Sequence, residues 1–171
     1  MNRLTESTFI AKKPAITVLV KTDENNLIIR SDLSININNQ FELIFESSYL
    51  SKELLDELLS SLFVYATQKK SHFSQHLFFP AKFAPFTTTV YSLMKSLPFG
   101  QSLSYQELAE MAGSKQAQRA VGSICKNNPF PLFVPCHRIL ANKQLLGGFS
   151  AGGLDVKKEL LAFESIPFIG M

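Results

Sequence analysis

The sequence predicts two domains. The first, residues 1–84, is an α/β domain made of a small antiparallel sheet and one helix; the second, residues 85–171, is mainly α and contains a helix-turn-helix. Three observations predict this. Short β-rich runs alternate with Asn/Asp clusters over residues 15–46, apolar residues recur at helical spacing after residue 51, and a capping box farther on is followed by a glycine stop.

In chain order, Ile16-Thr17-Val18-Leu19-Val20, Leu27-Ile28-Ile29 and the run from Phe41 to Phe45 read as strands. The turn-forming runs Asp23 to Asn26 and Asn36 to Asn39 separate them, which predicts an antiparallel meander. Ser51 caps a helix whose apolar face is Leu54, Leu55, Leu58, Leu59, Leu62 and Phe63, and this face would cover the sheet. Residues 78–86, with Pro80 and Pro85 among aromatics, suit a packed linker, and the boundary is placed at Ala84. From Thr87 the pattern is helical, with Val90, Leu93, Met94 and Leu97 inward and Pro98-Phe99-Gly100 as the stop. Ser104-Tyr105-Gln106-Glu107 is a capping box, with Tyr105, Leu108, Ala109 and Met111 or Ala112 on the buried face and Gly113 at the end. Ser114 caps a further helix with Ala117, Ala120, Val121 and Ile124 inward. Two short helices joined by a glycine-containing turn make a helix-turn-helix.

A chain with 46% hydrophobic and 18% charged residues has the composition of an ordinary globular protein. Apolar stretches such as Ile16 to Val20 are too short to cross a bilayer, and the N-terminus lacks a basic-then-apolar leader, so no membrane association is expected. Cys125 and Cys136 are the two cysteines, too few for a disulfide framework; a cytoplasmic location, or a nuclear one in a eukaryote, suits a free thiol. His72 and His76 would share a helix face, but two histidines are an incomplete ligand set, and neither a metal nor a cofactor is expected. Residues 1–85 carry nine Lys+Arg and nine Asp+Glu, whereas residues 86–171 carry eight and five. The whole basic excess therefore lies in the second half, which favours a polyanion partner there over a merely solvated surface.

The run Val134-Pro135-Cys136-His137-Arg138 sets a cysteine behind a proline and before two basic side chains. Positive neighbours lower a thiol pKa and raise the fraction of thiolate, the strongest nucleophile a protein offers at neutral pH. These flanks weigh against the plainer alternative of a buried structural cysteine. Pro135 pushes Val134 into an extended conformation, so Leu132-Phe133-Val134 is expected to be a short strand ending at Cys136. Adjacent residues of an extended chain face opposite ways, so His137 is expected to reach the thiol through water, and a carboxylate must orient its imidazole. Spacing alone does not pick that carboxylate. Upstream, Lys115, Arg119, Gly122 and Lys126 recur at i, i+4, i+7 and i+11, a basic face with small side chains. Gly122 within a helix costs about 1 kcal/mol relative to Ala, and close approach to a partner surface would offset it.

Pro135-Cys136-His137-Arg138, preceded by Asn128-Pro129, by Ser104-Tyr105-Gln106-Glu107-Leu108-Ala109, by Gly113 and by Arg119-Ala120-Val121-Gly122, resembles the O6-alkylguanine-DNA alkyltransferases, also called methylated-DNA–protein-cysteine methyltransferases. The resemblance runs from about Phe86 to Gly147 and on through Gly152-Gly153-Leu154 to Leu160-Leu161-Ala162-Phe163-Glu164. It implies DNA repair by direct reversal: Cys136 takes an alkyl group from O6 of guanine in double-stranded DNA, His137 activates it through water, and Glu164 completes the relay. Transfer from O4 of thymine is left open. Arg119 is implied as the arginine that fills the gap left by the extruded nucleotide, Tyr105 as the tyrosine that helps swing it out, and Asn128 as the residue that holds the active-site turn. Ser104, Ala117, Lys115, Gly122 and Lys126 would share the DNA surface with them. Pro131, Val134, Ile139, Phe149, Ser150 and Ala151 would form the substrate pocket. Phe149 stands where a tyrosine is frequent, and the loop from Gly147 to Gly153 has one extra residue. The family's N-terminal domain is ribonuclease-H-like, its proteins use no cofactor for transfer, and a monomer is implied. The competing classes are a damage-binding protein without transfer, a helix-turn-helix regulator and a cysteine hydrolase. None of the three accounts for Cys136 inside this run as well as an alkyl acceptor does.

Overall fold

The computed structural model describes residues 4–25, 27–47, 51–70, 73 and 83–170; His72 and His76 lie outside them. The chain divides into two units, Met1–Pro80 and Ala81–Met171. In the first, apolar alternation produces four strands, β1 (Leu4–Ala11), β2 (Ile16–Thr22), β3 (Ile28–Ile35) and β4 (Phe41–Ser47), followed by helix α1 (Lys52–Gln68). Ile16, Val18 and Val20 of β2 and Phe41, Leu43 and Phe45 of β4 point into one core. β1 is a strand that the alternation over residues 15–46 does not announce, since it precedes that window.

The sheet is mixed, in the order β1-β4-β2-β3, and this corrects the expected antiparallel meander. β2 and β3 form an antiparallel hairpin, but β4 lies parallel to β2 on its other side, with Val18 opposite Leu43. The connection after β3 is what redirects the chain. Asn36 donates its backbone N–H to the Ala15 carbonyl at 2.8 Å and its side-chain amide to Thr17 Oγ1 at 2.9 Å, so the turn crosses beneath the start of β2. Ser51 caps α1 by accepting the Leu54 N–H at 3.2 Å, and Leu54, Leu58, Leu62 and Tyr65 are its buried face. Phe63, expected inward, is 52% exposed. Tyr65 takes its place toward the sheet, its ring 6.1 Å from that of Phe41.

The second unit is helical with one minimal parallel strand pair. α2 (Pro85–Ser96) starts with Pro at its first turn, where a missing N–H is harmless, and buries Val90, Tyr91 and Met94. β5 (Leu103–Ser104) runs into α3 (Tyr105–Met111), where the capping box is complete: Glu107 N–H donates to Ser104 Oγ at 3.1 Å, and Ser104 N–H to Glu107 Oε2 at 2.7 Å. Leu108 and Ala109 are buried, whereas Met111 is 56% exposed. Gly113, at φ +85°, ends this segment.

α4 (Gln118–Lys126) begins three residues later than a Ser114 cap would place it. Residues 114–117 form a separate turn in which the Ala117 N–H donates to the Ser114 carbonyl at 3.0 Å, so Lys115 stands before the helix and not on it. The buried face of α4 is Val121 and Cys125; Ala120, expected inward, is exposed. β6 (Ile139–Leu140) pairs parallel with β5, joining the chain after Cys136-His137-Arg138 to the start of α3. α5 (Gly153–Phe163) packs Leu161 with Leu140, Leu146 and Ile166. No helix among the described residues is long and apolar enough to cross a membrane.

Candidate active site

The segment that presents Cys136 is a series of turns, not the strand expected over Leu132-Phe133-Val134. Leu132 adopts φ +73°, a left-handed conformation that costs a non-glycine residue about 1–2 kcal/mol, and the Val134 N–H donates back to the Phe130 carbonyl at 2.8 Å. Pro135, at φ −79° and ψ 65°, is the centre of an inverse γ-turn closed by Cys136 N–H donating to the Val134 carbonyl at 2.8 Å. Cys136–Arg138 then form a single 3₁₀ turn. Asn128 holds this together. Its Oδ1 accepts the Phe130 N–H at 3.0 Å, while Nδ2 donates to the Val134 carbonyl at 2.8 Å and to Cys136 Sγ at 3.1 Å.

Behind the thiol lies a fully buried polar network. His137 Nε2 is 2.8 Å from Glu164 Oε1, and Arg138 grips the same carboxylate with Nε to Oε2 at 2.7 Å and Nη2 to Oε1 at 3.0 Å. Arg138 Nη1 also donates to the Leu97 carbonyl at 2.6 Å, and Gly100 N–H donates to Glu164 Oε2 at 3.3 Å. Burial works against the Glu164 charge, but the hydrogen bonds from His137 and Arg138 and the guanidinium charge of Arg138 outweigh it and hold the carboxyl at about 2. Burial pushes the His137 pKa down, so the imidazole is neutral. An ionised carboxylate only accepts, so Nε2 carries the proton and Nδ1 is the basic nitrogen. Nδ1 is buried with no hydrogen-bond partner among the described residues.

Cys136 lines a cavity of about 380 Å³ together with Tyr105, Gly122, Cys125, Lys126, Gly148, Phe149 and Ser150. Burial raises the Cys136 thiol pKa; the Asn128 amide and the Lys157 ammonium oppose that rise. Burial, reinforced by the neighbouring thiols, raises the Tyr105 hydroxyl to about 12, so it stays a proton donor. Gly147, at φ +65°, passes so close to this ring that a Cβ would lie 3.3 Å from the hydroxyl oxygen. Ser150 Oγ donates to the Lys126 carbonyl at 2.6 Å, joining the loop to the end of α4. A Cβ on Gly122 would meet no heavy atom within 4 Å, so that wall of the cavity is open.

Of the residues singled out in the sequence, Cys136, His137, Glu164 and Asn128 come together, and Tyr105, Gly122, Lys126, Phe149 and Ser150 share the cavity with Cys136. Pro131, Val134 and Ile139 are buried but outside the cavity lining, and Ala151 is half-buried beside it in sequence. Arg119 and Lys115 are exposed, Ala117 and Ser104 half-buried. Cys125, which from the sequence could be core or pocket wall and reads better as core, lines the cavity, and sequence reasoning missed Gly148 as a lining residue, Arg138 as the second grip on Glu164, and Lys157. The last had only a weak signal: of the adjacent Lys157 and Lys158, Lys157 lies beside Val156 and one turn before Leu160 and Leu161, on the apolar face of its helix.

Comparison with known proteins finds similarity in the second unit. Residues 85–166 match the family described as the DNA binding domain of 6-O-methylguanine DNA methyltransferase. Among its relatives, the methylated-DNA–protein-cysteine methyltransferase of Cricetulus griseus is 46% identical over 78 residues, which are 46% of this chain and 37% of that protein. The constitutive methylated-DNA–protein-cysteine methyltransferase of Bacillus subtilis is 38% identical over 87 residues, 51% of this chain and 53% of that one. The chain thus matches about half or less of the length of these relatives. A Mycobacterium tuberculosis OGT solved in complex with DNA shares the fold at TM-score 0.63 and 22% identity, over 84% of each chain. The O6-methylguanine-DNA methyltransferase of Pyrococcus kodakaraensis does so at TM-score 0.51 and 20% identity, over 88% of this chain and 99% of that one.

Proposed function

We propose that this protein repairs double-stranded DNA by accepting, once and irreversibly, an alkyl group from O6 of guanine onto Cys136. The observation that carries this is a cysteine in a cavity wall, with Asn128 on its sulfur and the neutral imidazole of His137 oriented by Glu164. O6 of guanine is inaccessible in a duplex, so the nucleotide must be extruded, at a few kcal/mol of lost stacking and pairing. α3, the following turn and α4 act as a helix-turn-helix that lies on the duplex. Exposed Arg119 fills the gap, Lys115 and Lys126 meet phosphates, and Ser104, Ala117 and Gly122 allow close approach. Contacts of this kind are largely to the DNA backbone and carry little sequence preference, as repair requires.

With the base in the cavity, near Tyr105, Phe149, Ser150 and Ala151, His137 Nδ1 takes the Cys136 proton through a water molecule. The sulfur attacks the alkyl carbon, the carbon–O6 bond breaks, and guanine leaves with its electron pair and gains a proton, for which the Tyr105 hydroxyl in the cavity lining is the donor. The product is a thioether. Water has no carbonyl to attack there, so the thiol is spent and one protein repairs one lesion. The protein acts as a monomer in the cytoplasm, or in the nucleus of a eukaryote.

Cys136→Ala tests the assignment. The variant is expected to bind duplex containing O6-methylguanine with the affinity of the wild type and to acquire no methyl group. Methylation of the variant at any other residue would place the acceptor elsewhere.

A further inference from the structure

N–H groups meet both oxygens of the Glu164 carboxylate in pairs. Oε1 takes His137 Nε2 at 2.8 Å and Arg138 Nη2 at 3.0 Å, and Oε2 takes Arg138 Nε at 2.7 Å and the Gly100 N–H at 3.3 Å. A carboxylate offers about four acceptor positions, so these donors fill them. All three side chains are buried, and solvent ions screen the charges between them little. Arg138 is itself fixed by a further bond. Its Nη1 donates at 2.6 Å to the carbonyl of Leu97, just past the end of α2, where the helix leaves its last carbonyls without a partner of its own. The planar guanidinium thus spans the end of α2, the nucleophile turn and the residue after α5. A lysine ammonium lacks the rigid fork that makes the two-point grip on the carboxylate.

The consequence falls on His137. A carboxylate acting alone on an imidazole draws it toward the imidazolium, because the anion favours the added charge. Here the anion is already paired. Burial works most strongly against a proton on His137, Glu164 works for it, and Arg138 and Lys157 work against it. Lys157, on α5, spends its ammonium on the Ile139 carbonyl at 2.8 Å and the Leu146 carbonyl at 2.6 Å, whereas Arg138 meets the same carboxylate as the imidazole. Cys136, next to His137 on the turn, is the group whose proton the ring would take. A protonated His137 has no lone pair for that proton, so the thiol is served only while the ring is neutral, with Nε2–H on Glu164 and Nδ1 as the acceptor.

We propose that Arg138 is a positioning residue that acts through Glu164 on His137: by gripping both carboxylate oxygens it keeps Glu164 ionised and fixed in orientation and offsets part of its charge, so that His137 stays a neutral base at neutral pH and below. This rests on Cys136 being the nucleophile and His137 its base.

The test follows the His137 imidazole by NMR across pH in the wild type, Arg138→Gln and Arg138→Lys, beside the rate of benzyl transfer from free O6-benzylguanine to Cys136. In Arg138→Gln the His137–Glu164 pair is expected to gain its proton about one pH unit higher, and the acid limb of the transfer rate to move with it, a loss of about tenfold at pH values below the midpoint. Arg138→Lys keeps the charge without the fork, and is expected to keep the wild-type midpoint at a lower plateau rate. A merely structural role would slow transfer alike at every pH, so an Arg138→Gln midpoint equal to that of the wild type would overturn the proposal. Should Arg138→Gln not melt cooperatively, the wild type supplies a second test. Its His137 is expected to be neutral at pH 7 with the proton on Nε2; a proton on Nδ1 instead, or an imidazolium, would refute the role given to Arg138. The NMR reading needs no substrate, which keeps the two claims apart. A His137 midpoint that depends on Arg138, in a protein that takes no methyl group from duplex DNA, would contradict the repair function and support this coupling.

Discussion

Glu164 is the residue on which the polar network behind Cys136 converges, since His137, Arg138 and the Gly100 N–H all meet its carboxylate. Its carboxyl is held at about 2, against an ordinary 4.5, so its ionised form contributes to stability above about pH 4.5. That contribution, about 3 kcal/mol, is lost as the pH falls from about 4.5 toward 2. Glu164→Gln, which leaves Arg138 buried without a counter-charge, is expected to cost about 3–5 kcal/mol at pH 7, and the gap from the wild type should narrow with acidification. Denaturant unfolding of both proteins between pH 7 and pH 2 checks this; parallel curves would contradict it. Cys136 and His137 were legible from their immediate neighbours because adjacency in sequence is adjacency in space. Glu164 was not, since 27 residues separate it from His137, and only the family resemblance named it. Lys157 was hidden for the opposite reason, as a lysine on an apolar helix face reads as solvated until its carbonyl partners are seen.

At the scale of elements, local signals served best where one hydrogen-bond pattern decides the structure. The Ser104 capping box and the Gly113 stop bound α3 as its sequence implies. Where two local patterns compete, the sequence was ambiguous. Ser114 is a good cap residue, but its carbonyl closes a turn with Ala117, and α4 starts at Gln118. Pro135 suggested an extended approach to Cys136, but Asn128 gathers that segment into turns through contacts across eight residues. The parallel pairing of β2 with β4 depends on Asn36 reaching Ala15 and Thr17, which no strand pattern records. The late start of α4 sets Arg119 in its first turn, exposed, a position compatible with its proposed entry into a base stack. Arg119→Ala is expected to slow repair of duplex DNA by a factor of ten or so, as loss of about 1–2 kcal/mol implies, with little effect on reaction with free O6-benzylguanine. Equal slowing on both substrates, measured as second-order rate constants, would place Arg119 in the cavity chemistry instead.

For the molecule as a whole, the basic excess and the candidate site fall in the same half of the chain. Two of the described cations there are buried, one matched by Glu164 and one held by backbone carbonyls, so under the proposed function attraction to DNA falls to exposed groups such as Lys115, Arg119 and Lys126. The central claim is a thiol consumed by a single transfer. Intact-protein mass after incubation with a large excess of duplex containing O6-methylguanine tests it most directly. A gain of one methyl group per chain, reached and then unchanged however much DNA remains, is the predicted result. Tight binding with an unchanged mass, or continued demethylation after every chain has reacted once, would contradict it.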